Sequence, residues 1–189
     1  LEKPFKFLYV STVHTYKHQW NIVKAIGRLR SLGYPIIVDL VGGVIFKPSG
    51  KLLKEVINEV DPNNKFINFH GNIPYREVDH FYKNSDGIIF ASTCENMPNI
   101  LIESMASGRP IACSKKQPMP EFLKDNGFYF DAYNIDSIVN ALEELLLKGE
   151  KRSVMSENNL IEVKNYSWEK TAMDTFKFIN LIYKQHYNV

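Results

Sequence analysis

Cysteine is scarce in this sequence: Cys94 and Cys113 are the only two, and they form no Cys-x-x-Cys pair. A disulfide framework is excluded, and a reducing compartment fits. No apolar run approaches the roughly eighteen residues of a membrane span, and the opening LEKPFKFLYV lacks the long apolar stretch of an export signal. The expectation is therefore a cytoplasmic protein. Neither sign of charge dominates, since 23 Lys+Arg face 21 Asp+Glu for a formal charge of +2, with the basic residues scattered. That argues against nucleic-acid binding and leaves room only for a small anion. Internal repeats, low-complexity segments and long linkers are missing as well. What remains is 189 residues, 44% hydrophobic and 23% charged, which reads as one domain over 1–189. A chain of this size buries about 70% of its unfolded surface and needs no metal or disulfide staple.

Six short runs are rich in β-branched and aromatic residues: FKFLYV (5–10), IIVDLV (36–41), KFINFH (65–70), GIIFAS (87–92), PIACS (110–114) and GFYFD (127–131). Most are apolar throughout rather than alternating, as strands are when both faces of a parallel sheet are covered. Helical stripes lie between them, with Trp20, Val23, Ile26 and Leu29 inside 17–32, and with Leu52, Leu53, Val56, Ile57 and Val60. Strand then helix, repeated, predicts an α/β fold, a Rossmann-like doubly wound parallel sheet of about six strands. The C-terminus turns wholly helical, with stripes at Ile138, Val139, Leu142, Leu145 and Leu146 and at Trp168, Ala172, Phe176, Ile179 and Tyr183.

Ligands of open α/β sheets sit beyond the carboxyl ends of the strands, so the loops after each run are the places to look. The first loop, STVHTYK, offers hydroxyls and Lys17; the second offers Gly42 and Gly43, equally a plain turn or a place for backbone to approach phosphate. The fourth loop says more. Pro98 suits a first helical position and Gly108 the cap after the last, which predicts a helix over 98–107 with Glu95 just before it and Glu103 inside it. Free amides near Met97, Asn99 and Ile100, with the positive end of the helix dipole, form an anion site between the two carboxylates. Taken singly, Glu95 reads as a cap and Glu103 as a solvated residue. Glu103, however, is flanked by Ile100, Leu101, Ile102, Met105 and Ala106, where a charge needs a partner. Carboxylate, anion site, carboxylate is the layout for a nucleotide sugar.

The segment ENMPNILIESMASGRPI (95–111) resembles the signature of retaining glycosyltransferase family 4, two glutamates separated by seven residues and followed by Gly-x-Pro. YVSTVHTYKHQWNIVKAIGRL (9–29), IIVDLVGG (36–43) and FINFHGNIPYREVDHFYKNSDGIIFAS (66–92) follow in that family's order. The resemblance implies the nucleotide-sugar half of a two-domain GT-B enzyme, the acceptor-binding N-terminal domain having no counterpart here. It further implies that Glu95 meets the donor sugar and, with Lys17 on the pyrophosphate, serves the catalytic step, while Glu103 binds the ribose. Met97 and Asn99 would supply amides beside Pro98, which has none, and Gly71, Asn72 and Ile73 would meet the base. The family often has arginine where this chain has Thr12, so phosphate charge here has to come from elsewhere. The implied donor is a nucleoside-diphosphate sugar, a UDP-sugar before a GDP-sugar, with no cofactor and no metal. The implied acceptor is a saccharide or glycolipid of bacterial cell-surface polysaccharide synthesis, reached by peripheral association of the full-length enzyme with the cytoplasmic face of the inner membrane. A non-catalytic nucleotide-sugar-binding domain and a GT-B-fold sugar epimerase are the alternatives.

Other reactive types read more plainly. His14 and His18 are four apart without an evident third zinc ligand, His70 ends a strand, and Cys94 lacks a paired base. Glu121 starts a short helix, and Arg76, Lys115 and Lys116 read as solvated before they read as phosphate ligands.

Overall fold

The computed structural model describes residues 3–187. Six strands, β1 (Phe5–Val10), β2 (Ile36–Val41), β3 (Ile67–Gly71), β4 (Gly87–Phe90), β5 (Ile111–Ser114) and β6 (Phe128–Phe130), form one parallel sheet in the order β3-β2-β1-β4-β5-β6. This is the expected Rossmann-like doubly wound arrangement. Its apolar runs are buried because helices cover both faces: Phe7, Leu8, Ile36, Val38, Ile88, Ile89 and Ala112 are all shut off from solvent.

The helices are α1 (Gln19–Ser31), α2 (Lys47–Val60), α3 (Tyr75–Lys83), α4 (Asn99–Ala106), α5 (Met119–Leu123), α6 (Ile135–Leu147), α7 (Gly149–Glu162) and α8 (Trp168–Tyr187). α1 packs on α2 and α6, and α4 packs on α5 and α7; right-handed crossovers, the rule for parallel strands, put these two groups on opposite faces. Strand order reverses between β1 and β4. Their ladder holds only Phe7↔Gly87 and Leu8↔Ile88, so the loops after these strands leave on either side of a crevice.

Strand ends differ from expectation where side chains capture the backbone. Asp61, buried at the end of α2, accepts from the amides of Lys65 (2.9 Å), Phe66 (2.7 Å) and Ile67 (2.8 Å), and β3 starts only at Ile67. Residues 91 and 92 lie beyond β4, whose following loop is held instead by the Thr93 amide on the Tyr16 carbonyl (2.9 Å). Lys17 is not the first residue of α1: it closes a 3-10 turn (Thr15–Lys17), and His18, in the left-handed region (φ 53), separates that turn from the helix. The stripe of α8 is helical as expected, yet Trp168, Phe176, Ile179 and Tyr183 are all exposed.

Candidate functional site

Lys17 and Glu95, 78 residues apart in sequence, meet across the crevice. The Lys17 Nζ donates to Glu95 Oε1, and both side chains are largely buried. The root of Lys17 is fixed too, since the Tyr9 hydroxyl donates to its carbonyl at 2.6 Å. Burial pushes the Tyr9 phenol far above its usual range, so it remains a donor throughout the working pH range. A buried ammonium paired with one carboxylate still has donors to spare, whereas an isolated one would be costly.

The start of α4 lies beyond Glu95. The helix begins at Asn99, one residue later than expected, with Pro98 as its cap. Gly108, at φ 66, follows the helix end in the left-handed conformation that glycine adopts without strain. Of the amides expected to face an anion, that of Asn99 is taken by the Met97 carbonyl (2.9 Å), and Pro98 has none. Those of Met97 and Ile100 find no hydrogen-bond partner among the described residues. The anion site is therefore narrower than the sequence implies.

A cavity of about 360 Å³ opens beside this pair, lined by Thr12, Lys17, Gly42, Gly43, Asn72, Ile73, Tyr75 and Ile100 together with Ser11 and three valines. Seven residues singled out from sequence thus share one wall. Gly42 is there for packing: its φ is 141, and a Cβ would come within 2.1 Å of the Ser11 carbonyl oxygen. Its N–H is also occupied, by the Gly71 carbonyl at 2.8 Å, so the Gly42 amide is not a phosphate ligand. Gly71 lies outside this lining and acts through that bond. Thr12 is exposed, and its carbonyl accepts from the Gln19 side chain at 2.9 Å.

Glu103, Met97 and Asn99 line a neighbouring cavity of about 400 Å³. The partner that Glu103 needs is Tyr75, whose hydroxyl donates to Oε1 at 3.1 Å, and the carboxylate in turn holds the Tyr75 phenol above its usual value. Tyr75 lines both cavities and joins the two halves of the site. The sequence reading missed it, although its place just after Gly71, Asn72, Ile73 and Pro74 offered the signal. Thr93 and Tyr9, which fix the loops around Lys17, carried no signal.

The remaining candidates lie apart. His14 caps the 3-10 turn through Nδ1, accepting from the Thr15 amide (2.9 Å). His70 bonds buried Asp39 (2.9 Å), which also accepts from Asn68. Among the described residues no three of His, Cys, Asp or Glu converge as a metal would require. None of the described helices is long and apolar enough to cross a membrane.

The sequence model of the family described as glycosyl transferases group 1 matches residues 1–160. The chain is 22% identical over 178 residues to the O-antigen chain mannosyltransferase B of Escherichia coli, covering 93% of this chain and 45% of that protein. It is 24% identical over 172 residues to the lipopolysaccharide 1,2-N-acetylglucosaminetransferase of Salmonella typhimurium, covering 87% and 45%. The crystal structure of Anabaena HepE in complex with UDP and glucose superposes with a TM-score of 0.83 at 17% identity, over 94% of this chain and 48% of that one. The chain thus spans about half the length of these relatives.

Proposed function

The chain belongs to the glycosyl transferases group 1 family, and from that premise we propose that it is the donor-binding half of a retaining, metal-independent glycosyltransferase using a nucleoside-diphosphate sugar. The observation that carries the reading is the Lys17–Glu95 pair set across the switch point of the sheet. One Lys17 N–H holds Glu95, and the other two serve the diphosphate. The open amides of Met97 and Ile100, with the positive end of α4, take further phosphate oxygens and stabilise the departing nucleoside diphosphate. Glu95 meets the hydroxyls of the donor sugar. Glu103 accepts from the ribose, Tyr75 standing beside it, and the loop at Gly71, Asn72 and Ile73 borders the base.

A UDP-sugar is the first candidate donor, supported by the UDP carried by the Anabaena neighbour, with a GDP-sugar second. The acceptor, a saccharide or lipid-linked saccharide, sits on a domain outside these residues. The bacterial relatives' O-antigen and lipopolysaccharide substrates support a role in cell-surface polysaccharide synthesis at the cytoplasmic face of the inner membrane. The test is calorimetric titration with UDP-, GDP- and ADP-sugars and the free nucleotides. Binding of one base should survive EDTA, weaken with salt, and weaken further in Lys17→Ala. Failure to bind any of them, or a strict requirement for magnesium or manganese, would overturn the reading.

A further inference from the structure

We propose that His18 is a positioning residue that aims Lys17 at Glu95, a reading that rests on the donor-site assignment for its functional consequence. His18 adopts φ 53 and ψ 29, a backbone conformation unfavourable for a residue with a Cβ, and it does so while 5% exposed. Strain of this kind persists only where the surroundings hold it in place. What holds it is the loop that carries Glu95. The His18 imidazole Nε2 lies 2.9 Å from the Thr93 hydroxyl, and the Thr93 amide donates to the Tyr16 carbonyl at 2.9 Å. Thr93 therefore grips the residues on both sides of Lys17, two positions before Glu95 itself.

The clamp is closed from outside by aromatic rings. Tyr133 meets the imidazole edge-on at 4.7 Å and donates to the Thr93 hydroxyl at 3.4 Å, and the Trp20 ring lies edge-on at 5.8 Å. A lysine on a flexible four-carbon stem samples many directions when only its root is ordered. Here the left-handed turn sets the direction of the root, and the Thr93 bond ties it to the carboxylate loop. The ion pair is thereby prepared before any ligand arrives.

His18→Gly relieves the backbone strain and removes the ring; Thr93→Val removes the hydroxyl at nearly constant shape and serves if the glycine variant fails to fold. The first readout needs no ligand: a double-mutant cycle of Lys17→Met and Glu95→Gln on urea unfolding, in the parent chain and in each variant. The coupling between Lys17 and Glu95 should fall at least severalfold in both. The second readout is calorimetric affinity for UDP and GDP, expected to drop about tenfold for whichever nucleotide binds, as the loss of one hydrogen bond's positioning would give. Coupling that persists unchanged in a folded variant overturns the positioning role. Coupling that is lost in variants of a chain that binds none of UDP, GDP, ADP and their sugars upholds the positioning role and overturns the donor reading instead.

Discussion

Glu95 and Glu103 are alike in sequence, yet their partners differ, and so do the expected effects of replacing them. Glu103 has a neutral partner in Tyr75, so Glu103→Ala removes a carboxylate without stranding a charge. Losing a charged hydrogen bond to the ribose should weaken free nucleotide and nucleotide sugar alike, by about 1.5–3 kcal/mol. Glu95→Ala is different, because it leaves the buried Lys17 ammonium unpaired and should lower stability as well. Glu95→Gln keeps an acceptor for Lys17 and isolates the sugar contact, so its affinity should fall for the nucleotide sugar and hold for the free nucleotide. Equal losses for both ligands in titrations of Glu95→Gln would contradict the assignment to the donor sugar. His18 adds a pH dependence. Burial lowers its imidazole below the ordinary 6.5, although Asp131 acts the other way. Protons then bind the unfolded chain first, so stability should decline as pH falls below about 6.5 until the folded imidazole itself protonates. His18→Asn, which tolerates the left-handed backbone, should flatten that slope in urea-unfolding series run at stepped pH.

Among the elements, those that bury apolar stripes were legible. All six strands, α1, α2 and α6 lie close to where their apolar patterns put them, and α4 close to where Pro98 and Gly108 put it, because each packs residues such as Ile26, Leu53, Leu101 or Leu142 into the core at full burial. α7 was not legible for a physical reason: Met155 is its one buried apolar residue, and its inner face includes Ser156 and Asn159, the latter donating to the Asn126 carbonyl at 3.0 Å. At the site, Glu95, Glu103 and Lys17 stood out as charged residues around the strand ends and along an apolar helix, whereas Asn72 was reached only through the family resemblance. His18, Thr93 and Tyr75 became visible only when the fold brought distant loops together. Asp61 sets where β3 begins. Burial alone would raise its carboxyl, but the amides of Lys65, Phe66 and Ile67, with Arg30 nearby, hold it below the ordinary 3.8. Its stabilisation is fully present above that value and disappears as pH falls through the lower folded value. Asp61→Ala strands three amides and should cost about 2–4 kcal/mol in urea unfolding near neutral pH. α8 is the opposite case. None of its described residues is buried, so removing 168–189 should change the unfolding free energy by less than about 1 kcal/mol.

At the scale of the molecule, a sheet covered on both faces and a cavity walled from one side have separate consequences. The sheet is covered on both faces by its own helices, which is what a stable, independently folding unit requires. The cavity beside Lys17, in contrast, is formed from one side of one sheet, and the chain spans about half the length of its relatives. On the proposed function, transfer needs the acceptor oxygen held against the anomeric carbon, and such positioning is worth up to about 10⁵–10⁸ M in effective concentration. On the same proposal, a single wall supplies donor contacts but little of that positioning. Water in an open cleft would also weaken the contact of Lys17 with a ligand there, though not its buried pair with Glu95. The purified 189 residues should therefore bind a nucleoside-diphosphate sugar, weakly, and transfer no sugar to added acceptors in a radiolabel assay. Joining an acceptor-binding half to the same polypeptide should tighten donor binding and switch on transfer together, since both depend on closing one cleft. Turnover by residues 1–189 alone, abolished by Lys17→Ala and so not due to a contaminant, would show that the acceptor site lies within this chain.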